Sequence, residues 1–214
     1  MRGTPEKQQG ATGWLGILIM PILSYSLRSH GEGHLRFSNG IEQLGSSETM
    51  HRKVYRRALN KVGDKAYTRV IRAVGKQMGL KRGQVLKYGG VGKVRANYKR
   101  QDYQIVSRGE EVPLREFGAK QFSYGIRARP WGKATRFTGM FINAGRWTSG
   151  DPVAQGHVFQ RVTSSSLPIE KQFGPSVPEE IVKNETAAAF YRVADELPAR
   201  IAHEIAQVTR GAVG

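Results

Sequence analysis

The stretch that decides the fold is residues 50–78, MHRKVYRRALNKVGDKAYTRVIRAVGKQM. Its apolar residues recur every four positions: Val54, Ala58, Val62, Ala66, Val70, Val74 and Met78. Residues four apart lie one above the other on an α-helix, so the stretch predicts one long amphipathic helix. A strict four-residue repeat drifts around a straight helix of 3.6 residues per turn. We therefore expect either that the buried face rotates along the helix or that the helix bends near Gly63 or Gly75.

Both ends of this helix carry end signals. Ser46 or Ser47 can cap its start, and Glu48 in the first turn places a negative charge at the positive end of the helix dipole. Gly79 followed by Leu80 predicts a left-handed C-terminal cap with its accompanying apolar contact. A second short helix is predicted over residues 80–88, ended by the glycine-rich residues 89–92.

Positive charge is concentrated in and just after the long helix. Residues 51–100 hold 16 Lys and Arg and a single acid, Asp64, so +15 of the chain's net charge of +17 lies there, whereas the other 18 bases and 16 acids nearly cancel. We expect Asp64 to form an ion pair. Such asymmetry predicts a polyanionic partner, either nucleic acid or an acidic protein surface. The alternative is a solvated helix face. The candidate residues, called the first cationic surface, are Lys53, Arg57, Lys61, Lys65, Arg69, Lys87, Lys93, Arg95, Lys99 and Arg100.

The domain organisation is predicted as one domain with a separate N-terminal extension. Residues 1–34 differ in character from the rest of the chain, and their apolar run over residues 14–23 is shorter than the roughly 20 residues that span a bilayer. Either this extension is an arm that docks on a neighbouring subunit, or the working product begins near Leu35. Residues 35–210 form the predicted domain and residues 211–214 a tail. The chain has no cysteine, which excludes disulfides and thiolate metal sites.

After residue 101 the apolar period changes from helical to alternating, which predicts short strands. The chain indicates a strand or lead-in over residues 35–44, a turn over 108–111 and a loop over 144–155. Pro113 places its strand at a sheet edge because proline cannot donate to a central ladder. The main predicted strands cover residues 103–107, 112–117, 122–128, 136–143 and 157–163.

A final helix is predicted from residue 177 to about Arg210. Ser176 and Glu179 have capping-box spacing, and Pro178 suits the first turn. Pro198 is expected to kink or restart the helix. The predicted fold class is α+β: a long N-terminal amphipathic helix and a kinked C-terminal helix packed on a small, mostly antiparallel sheet.

No motif predicts an active site, a metal or a cofactor. His203-Glu204 lacks the second histidine of a metalloprotease helix, and neither Gly92-Lys93 nor Gly132-Lys133 is followed by the hydroxyl residue of a phosphate-binding loop. We therefore expect a protein that is not an enzyme. Tyr88, Tyr98 and Tyr103 lie among the bases and suggest, as one alternative, stacking on single-stranded nucleic acid.

The second half carries a series of turn and packing motifs in a specific order. Together with the start of the long helix, the motifs are RALNKV (57–62), GLK (79–81), PLREF and KQ (113–117 and 120–121), PWGK (130–133), GMFI (139–142), VFQR (158–161), LPI (167–169) and GPSVP (174–178). With these motifs the chain resembles the minor tail protein Z, or tail completion, family of long-tailed phages and prophages over about residues 36–210.

This resemblance implies a structural protein of the virion, assembled in the host cytoplasm, that completes the head-proximal end of the tail and takes part in head–tail joining. It implies a ring, most simply a hexamer, next to tail terminator or tube proteins and head-completion proteins of the neck. It implies no catalytic residues, cofactor or membrane. Sequence-independent contact with DNA in the channel is a further expectation. Trp131, Phe141, Ile169 and Phe173 are then candidate core or subunit-interface anchors. The alternative function is a free-standing basic nucleic-acid-binding protein.

Overall fold

The computed structural model describes residues 23–29, 33–39, 48–143, 151–152 and 154–210. The fold is α+β, as predicted, with helices around small antiparallel sheets. The helices are α1 (Glu48–Met78), α2 (Arg82–Gly89), α3 (Val177–Glu180), α4 (Asn184–Ala194) and α5 (Leu197–Arg210).

Helix α1 lies at the centre of the molecule. All seven residues of its four-residue row are buried, none more than 4% exposed. At 100° per residue each step of four turns the row by about 40°, so the buried face rotates by about 240° from Val54 to Met78. This is the first of the two expected arrangements. It requires cover on several sides, which α2, α3, α4 and α5 provide.

The C-terminal cap of α1 is confirmed. Gly79 has φ +78°, and the N–H of Leu80 donates to the carbonyl oxygen of Gly75 at 2.8 Å while the Leu80 side chain is buried. At the other end Glu48 is the first helical residue. The predicted caps Ser46 and Ser47 lie outside the described residues.

The largest sheet has the strand order β1-β2-β4-β3. Its strands are β1 (Leu23–Ser29), β2 (Gly33–Asn39), β3 (Val91–Val94) and β4 (Asp102–Ser107). The prediction for residues 103–107 is confirmed as β4. The predicted segment 35–44 overlaps β2, which begins two residues earlier, at Gly33, and residues 40–44 of that prediction lie outside the described residues. The glycine-rich break after α2 leads directly into β3, which sequence reasoning missed. The predicted domain start at Leu35 falls inside β2.

Two predicted strands are corrected where the backbone turns. The prediction for residues 112–117 is wrong after Pro113: strand β5 (Glu111–Pro113) gives way to a 3-10 turn, Leu114–Phe117. The predicted strand 122–128 is not continuous: the chain turns after β6 (Lys120–Phe122) and returns as β7 (Gly125–Ala128), and the two strands pair as a hairpin. Gly125 has φ +132° and lies so close to β8 (Thr135–Thr138) that an added Cβ would be 2.3 Å from the Phe137 carbonyl oxygen.

The single strand predicted over residues 136–143 is likewise two strands in the structure. Gly139, with φ +75°, separates β8 from β9 (Met140–Phe141), and the two strands belong to different sheets. Strand β9 pairs with β10 (Phe159–Arg161), which pairs with β11 (Ile169–Lys171). Strand β12 (Phe173–Ser176) pairs with β5, and among the described strands neither has a second neighbour, so Pro113 does lie at an edge. Strands β11 and β12 were not predicted, and residues 157–158 and 162–163 of the predicted strand 157–163 lie outside β10.

The C-terminal helix begins differently from the prediction. Ser176 is the last residue of β12 and directly precedes α3, but its side chain makes no capping hydrogen bond. The predicted capping box is therefore wrong, although Pro178 does lie in the first turn. Helix α3 stops after one turn and α4 begins at Asn184. Pro198 lies in the first turn of α5, so the helix restarts there.

Candidate cationic surfaces and interface anchors

Helices α1 and α5 are joined by ion pairs that use two members of the first cationic surface. The Nζ of Lys61 lies 3.1 Å from Oε1 of Glu204, and the Nζ of Lys65 lies 2.5 Å from Oε2 of Glu196 just before α5. Glu204 also pairs with Arg200 of its own helix. These two lysines therefore help to hold α5 against α1.

The carboxylate of Glu204 is the most buried acid of this contact, with its side chain 1% exposed. Burial raises its pKa, but hydrogen bonds from Lys61 and Arg200 and their positive charges outweigh burial, so the pKa of Glu204 is below its usual value. The group is therefore held ionised, and its charge is compensated within the chain.

Asp64 forms the expected ion pair, with two cations rather than one. Its Oδ1 lies 2.7 Å from the Nζ of Lys93 and its Oδ2 lies 2.5 Å from Nη2 of Arg95. The hydroxyl of Tyr103 donates to the same carboxylate at 2.9 Å. Burial raises the pKa of Asp64, whereas Lys93, Tyr103 and Arg95 together lower it below the usual value. The end of β3 and the residue just after it are thus fastened to α1.

Half of the first cationic surface is consequently paired inside the molecule. Besides the four residues above, Arg100 lies 2.8 Å from a carboxylate oxygen of the buried Asp102. The other five members are exposed, and none has a carboxylate within 4 Å among the described residues: Lys53, Arg57, Arg69, Lys87 and Lys99.

The three tyrosines that lie among the bases do not form a stacking platform. Tyr103 is fully buried, and the hydroxyl of Tyr88 donates to Glu116 at 2.8 Å. Tyr98 is exposed, but the guanidinium of Arg56 covers its ring at 4.6 Å. Two of the three rings, those of Tyr88 and Tyr103, are therefore not available to stack on the bases of single-stranded nucleic acid.

The four candidate anchors all lie outside the fully buried core. Trp131 is 54% exposed and Phe173 42% exposed. Phe141 and Ile169 are half-buried on β9 and β11, where the Phe141 ring lies 6.3 Å from that of Phe159. Of the two roles left open by the sequence, core and subunit interface, the exposure of Trp131 and Phe173 excludes the core for those two residues.

Sequence reasoning missed a second group of cations on the three-stranded sheet β6-β7-β8. Arg127 on the central strand lies directly opposite Lys120 on one side and Arg136 on the other. Residues directly opposite on antiparallel strands project from the same face. All three are exposed, and together with the exposed Arg129 they are called the second cationic surface.

This second surface borders an open cavity of about 390 Å³ lined by Gly118, Lys120, Phe122, Arg127 and Arg129. Among the ion pairs of the described residues, none includes any of its four cations. The signal was present in the sequence, because residues 117–150 hold six Lys and Arg and no acid. It was missed because the charges outside residues 51–100 nearly cancel when they are summed together.

Within the residues that the structure describes, no three His, Cys, Asp or Glu side chains come together as a metal site. None of the helices described is both long enough and apolar enough to cross a membrane. Comparison with known proteins found no matching protein family, no matching curated protein and no matching solved structure.

Proposed function

We propose that this chain is a structural phage tail protein that completes the head-proximal end of the tail and takes part in joining heads to tails. The proposal starts from the ordered motifs between residues 57 and 178. Turn motifs that are scattered along a chain mean little one by one. They support a shared architecture when they meet in space, because each then fixes the position of another.

The observation that carries the proposal is that several of these motifs do meet. Gly79 of the motif GLK lies against PWGK: a Cβ on Gly79 would be 2.9 Å from the Gly132 nitrogen. The carbonyl oxygen of Phe117, which ends PLREF, accepts the N–H of Arg129 just before PWGK at 2.9 Å. The ring of Phe117 in turn covers Gly174, where a Cβ would be 2.5 Å from Cε2.

A subunit interface is supported by the apolar side chains that the monomer leaves exposed. Trp131 is held at φ +53°, a conformation that is unfavourable for a large side chain. Its side chain is nevertheless exposed and does not pack in the core. Leu167 is 67% exposed in the loop between β10 and β11, and Val162 of the same loop is also exposed. Val162 lies beside the Leu167-Pro168 segment, because its N–H donates to the carbonyl oxygen of Pro168 at 3.2 Å. Neighbouring large apolar residues that a monomer leaves exposed favour a protein partner.

The ring and its neighbours follow from the resemblance. A cyclic assembly, most simply a hexamer that matches the tail's symmetry, would bury these side chains between copies. One face of the ring would meet tail terminator or tube proteins and the other the head-completion proteins of the neck. The exposed half of the first cationic surface, including Lys53 and Arg57, suits docking to acidic faces of those neighbours.

The deciding experiment is a joining assay. DNA-filled heads and tails are prepared from a phage lysate in which the gene for this chain carries an early stop codon, and purified protein is added. We expect few infectious particles without the protein and many after its addition. If heads and tails join equally well without it, the proposal is wrong.

The ring is tested separately by light scattering of the full-length chain at low and high salt, alone and with purified tails. We expect a multiple of the chain mass that survives high salt, or a monomer that assembles only on tail ends. Leu167→Ser with Phe173→Ser should lower the mass or the binding to tails. Met50→Ser, which changes a similarly exposed apolar residue in the first turn of α1, should not. A monomer that coats DNA and ignores tails would favour the free-standing nucleic-acid-binding protein.

A further inference from the structure

The second cationic surface places like charges in adjacent positions, which a sheet ordinarily avoids. Lys120, Arg127 and Arg136 occupy the same register on three neighbouring strands. Side chains directly opposite each other on antiparallel strands have Cβ atoms about 5 Å apart, and like charges there are destabilising. A row of three such residues therefore needs a reason beyond local stability.

Protection of the sheet edges explains only part of the row. Lysine and arginine on an edge strand prevent it from pairing with another chain, and β6 and β8 are the edges of this sheet. Edge protection accounts for Lys120 and Arg136. It does not account for Arg127, because β7 is the central strand and has both of its neighbours.

The charges on this face are also uncompensated. In the described part of the chain no carboxylate lies within 4 Å of Lys120, Arg127, Arg129 or Arg136, whereas Asp64, Glu196 and Glu204 neutralise cations of the first surface. The guanidinium of Arg136 lies over a neutral ring, that of Tyr124, at 5.2 Å from its centroid. The row is thus free to bind an external anion.

We infer that the second cationic surface binds the phosphate backbone of duplex DNA. Phosphates repeat at fixed intervals along a strand, and a row of cations about 5 Å apart can contact several of them at once. Three of the four cations are arginines, whose planar guanidinium groups bind phosphate oxygens in pairs. Such contacts carry no sequence information, which suits DNA that moves past the protein.

An acidic protein is the less suitable occupant. The centre of a protein–protein interface is depleted of charge and rich in apolar side chains, whereas protein–DNA interfaces are strongly positive. Here cations occupy the centre of the face, and the rings of Phe122 and Tyr124 stack on one another with centroids 5.4 Å apart. The inference goes beyond the proposed function, from which it takes only the presence of DNA near the protein.

The test is a salt titration of the full chain with fluorescently labelled 20-base-pair duplexes of two unrelated sequences. Each phosphate neutralised on duplex DNA contributes about −0.9 to the slope of log affinity against log salt concentration. The variant R127Q/R129Q/R136Q should therefore have a slope less steep by about 2.7. Between 50 and 200 mM salt its affinity should fall about 40-fold less than that of the wild type, equally for both duplexes.

The matched control is K53Q/R57Q/R69Q, which removes three exposed cations from α1. Its net charge is the same as that of R127Q/R129Q/R136Q. It should keep the wild-type slope. Equal slopes for the two variants, no binding of the wild type at 50 mM salt, or displacement of the DNA by polyglutamate at equal charge would each overturn the inference. Because the joining assay does not measure DNA affinity, a chain that restores joining but fails here would leave the proposed function standing.

Discussion

The two cationic regions of this molecule differ in how their charge is compensated. On the first surface Lys61, Lys65, Lys93, Arg95 and Arg100 all have carboxylate partners inside the chain. On the second, the described residues supply no acid to any of the four cations. The first region holds most of the positive charge in the sequence, yet the second presents a larger share of its charge to a partner.

This difference shows that net charge along a sequence is a poor guide to where a polyanion binds. A cation that pairs with an acid contributes to the fold, and its attraction for an outside phosphate is reduced by the neighbouring negative charge. A cation without a partner contributes little or negatively to stability and remains attractive to an anion. Stability measurements can therefore separate the two surfaces without any ligand.

The largest effect should come from Gly63→Ala in α1. The ring of Tyr103, whose hydroxyl binds Asp64, covers this glycine so closely that an added Cβ would be 2.3 Å from its Cγ. Because the ring is buried and cannot move away cheaply, we expect the free energy of unfolding to fall by about 3 kcal/mol or more. Urea unfolding followed by circular dichroism measures this.

Its control is Gly83→Ala in α2, where no atom lies within 4 Å of the added Cβ. Alanine is the better helix former, so this change should raise the free energy of unfolding by about 0.5–1 kcal/mol. Equal effects at the two glycines would contradict the close packing of the Tyr103 ring on α1.

The next largest effect should come from Glu204→Gln in α5. The change removes the negative charge that Lys61 and Arg200 share, and hydrogen bonds to charged groups contribute about 1.5–3 kcal/mol each. We expect a loss of about 2 kcal/mol at pH 7. Glu185→Gln, which breaks an exposed pair with Arg192, should cost at most about 0.5 kcal/mol.

The same pair of variants predicts a pH dependence. The folded-state pKa of Glu204 is lowered, so its contribution to stability is complete above its unfolded value near 4.5 and is lost as the pH falls through the lower, folded value. The difference between wild type and Glu204→Gln should shrink below pH 4.5 in acid unfolding curves. A constant difference down to about pH 2 would contradict the ion-pair explanation.

A smaller effect is expected for Asp64→Asn. The amide oxygen can still accept the hydrogen bond from Tyr103, but the charge that attracts Lys93 and Arg95 is gone. Since these groups are partly exposed, we expect a loss of about 1 kcal/mol in low salt. At about 1 M salt the screening length is about 3 Å, so the difference should largely disappear. A difference that is independent of salt would mean that the carboxylate acts by packing rather than by charge.

Local pattern explains why α1 could be predicted from the sequence and its ion pairs could not. The row from Val54 to Met78 repeats every four residues, and Gly79 with Leu80 marks its end, so both signals lie within one segment. By contrast, Lys61 and Lys65 pair with acids 143 and 131 residues further along the chain. No local spacing brings Glu204 or Glu196 to α1; only the packing of α5 does.

The short strands were predicted less well for a related reason. Residues 122–128 and 136–143 alternate like single strands, but Gly125 and Gly139 adopt φ values of +132° and +75° and turn the chain between partners. Which glycine in a strand-like stretch turns depends on the neighbouring strands, not on the stretch itself. The second cationic surface was missed for the same reason. Its cations are brought side by side only when β6, β7 and β8 pair.

The smallest effect, and the one that distinguishes the two surfaces by sign, is expected for Arg127→Gln on β7. The change removes like-charge repulsion from Lys120 and Arg136 and breaks no ion pair among the described residues, so the free energy of unfolding should rise by about 0.3–0.5 kcal/mol in low salt. Arg192→Gln in α4, where the arginine does have a carboxylate partner, should instead lower it by a few tenths of a kcal/mol. Thermal unfolding at about 20 mM and about 500 mM salt measures both, and both differences should diminish at the higher salt. A loss of stability in Arg127→Gln would mean that this arginine already has a compensating partner within the protein, and the contrast between the two cationic surfaces would then not hold.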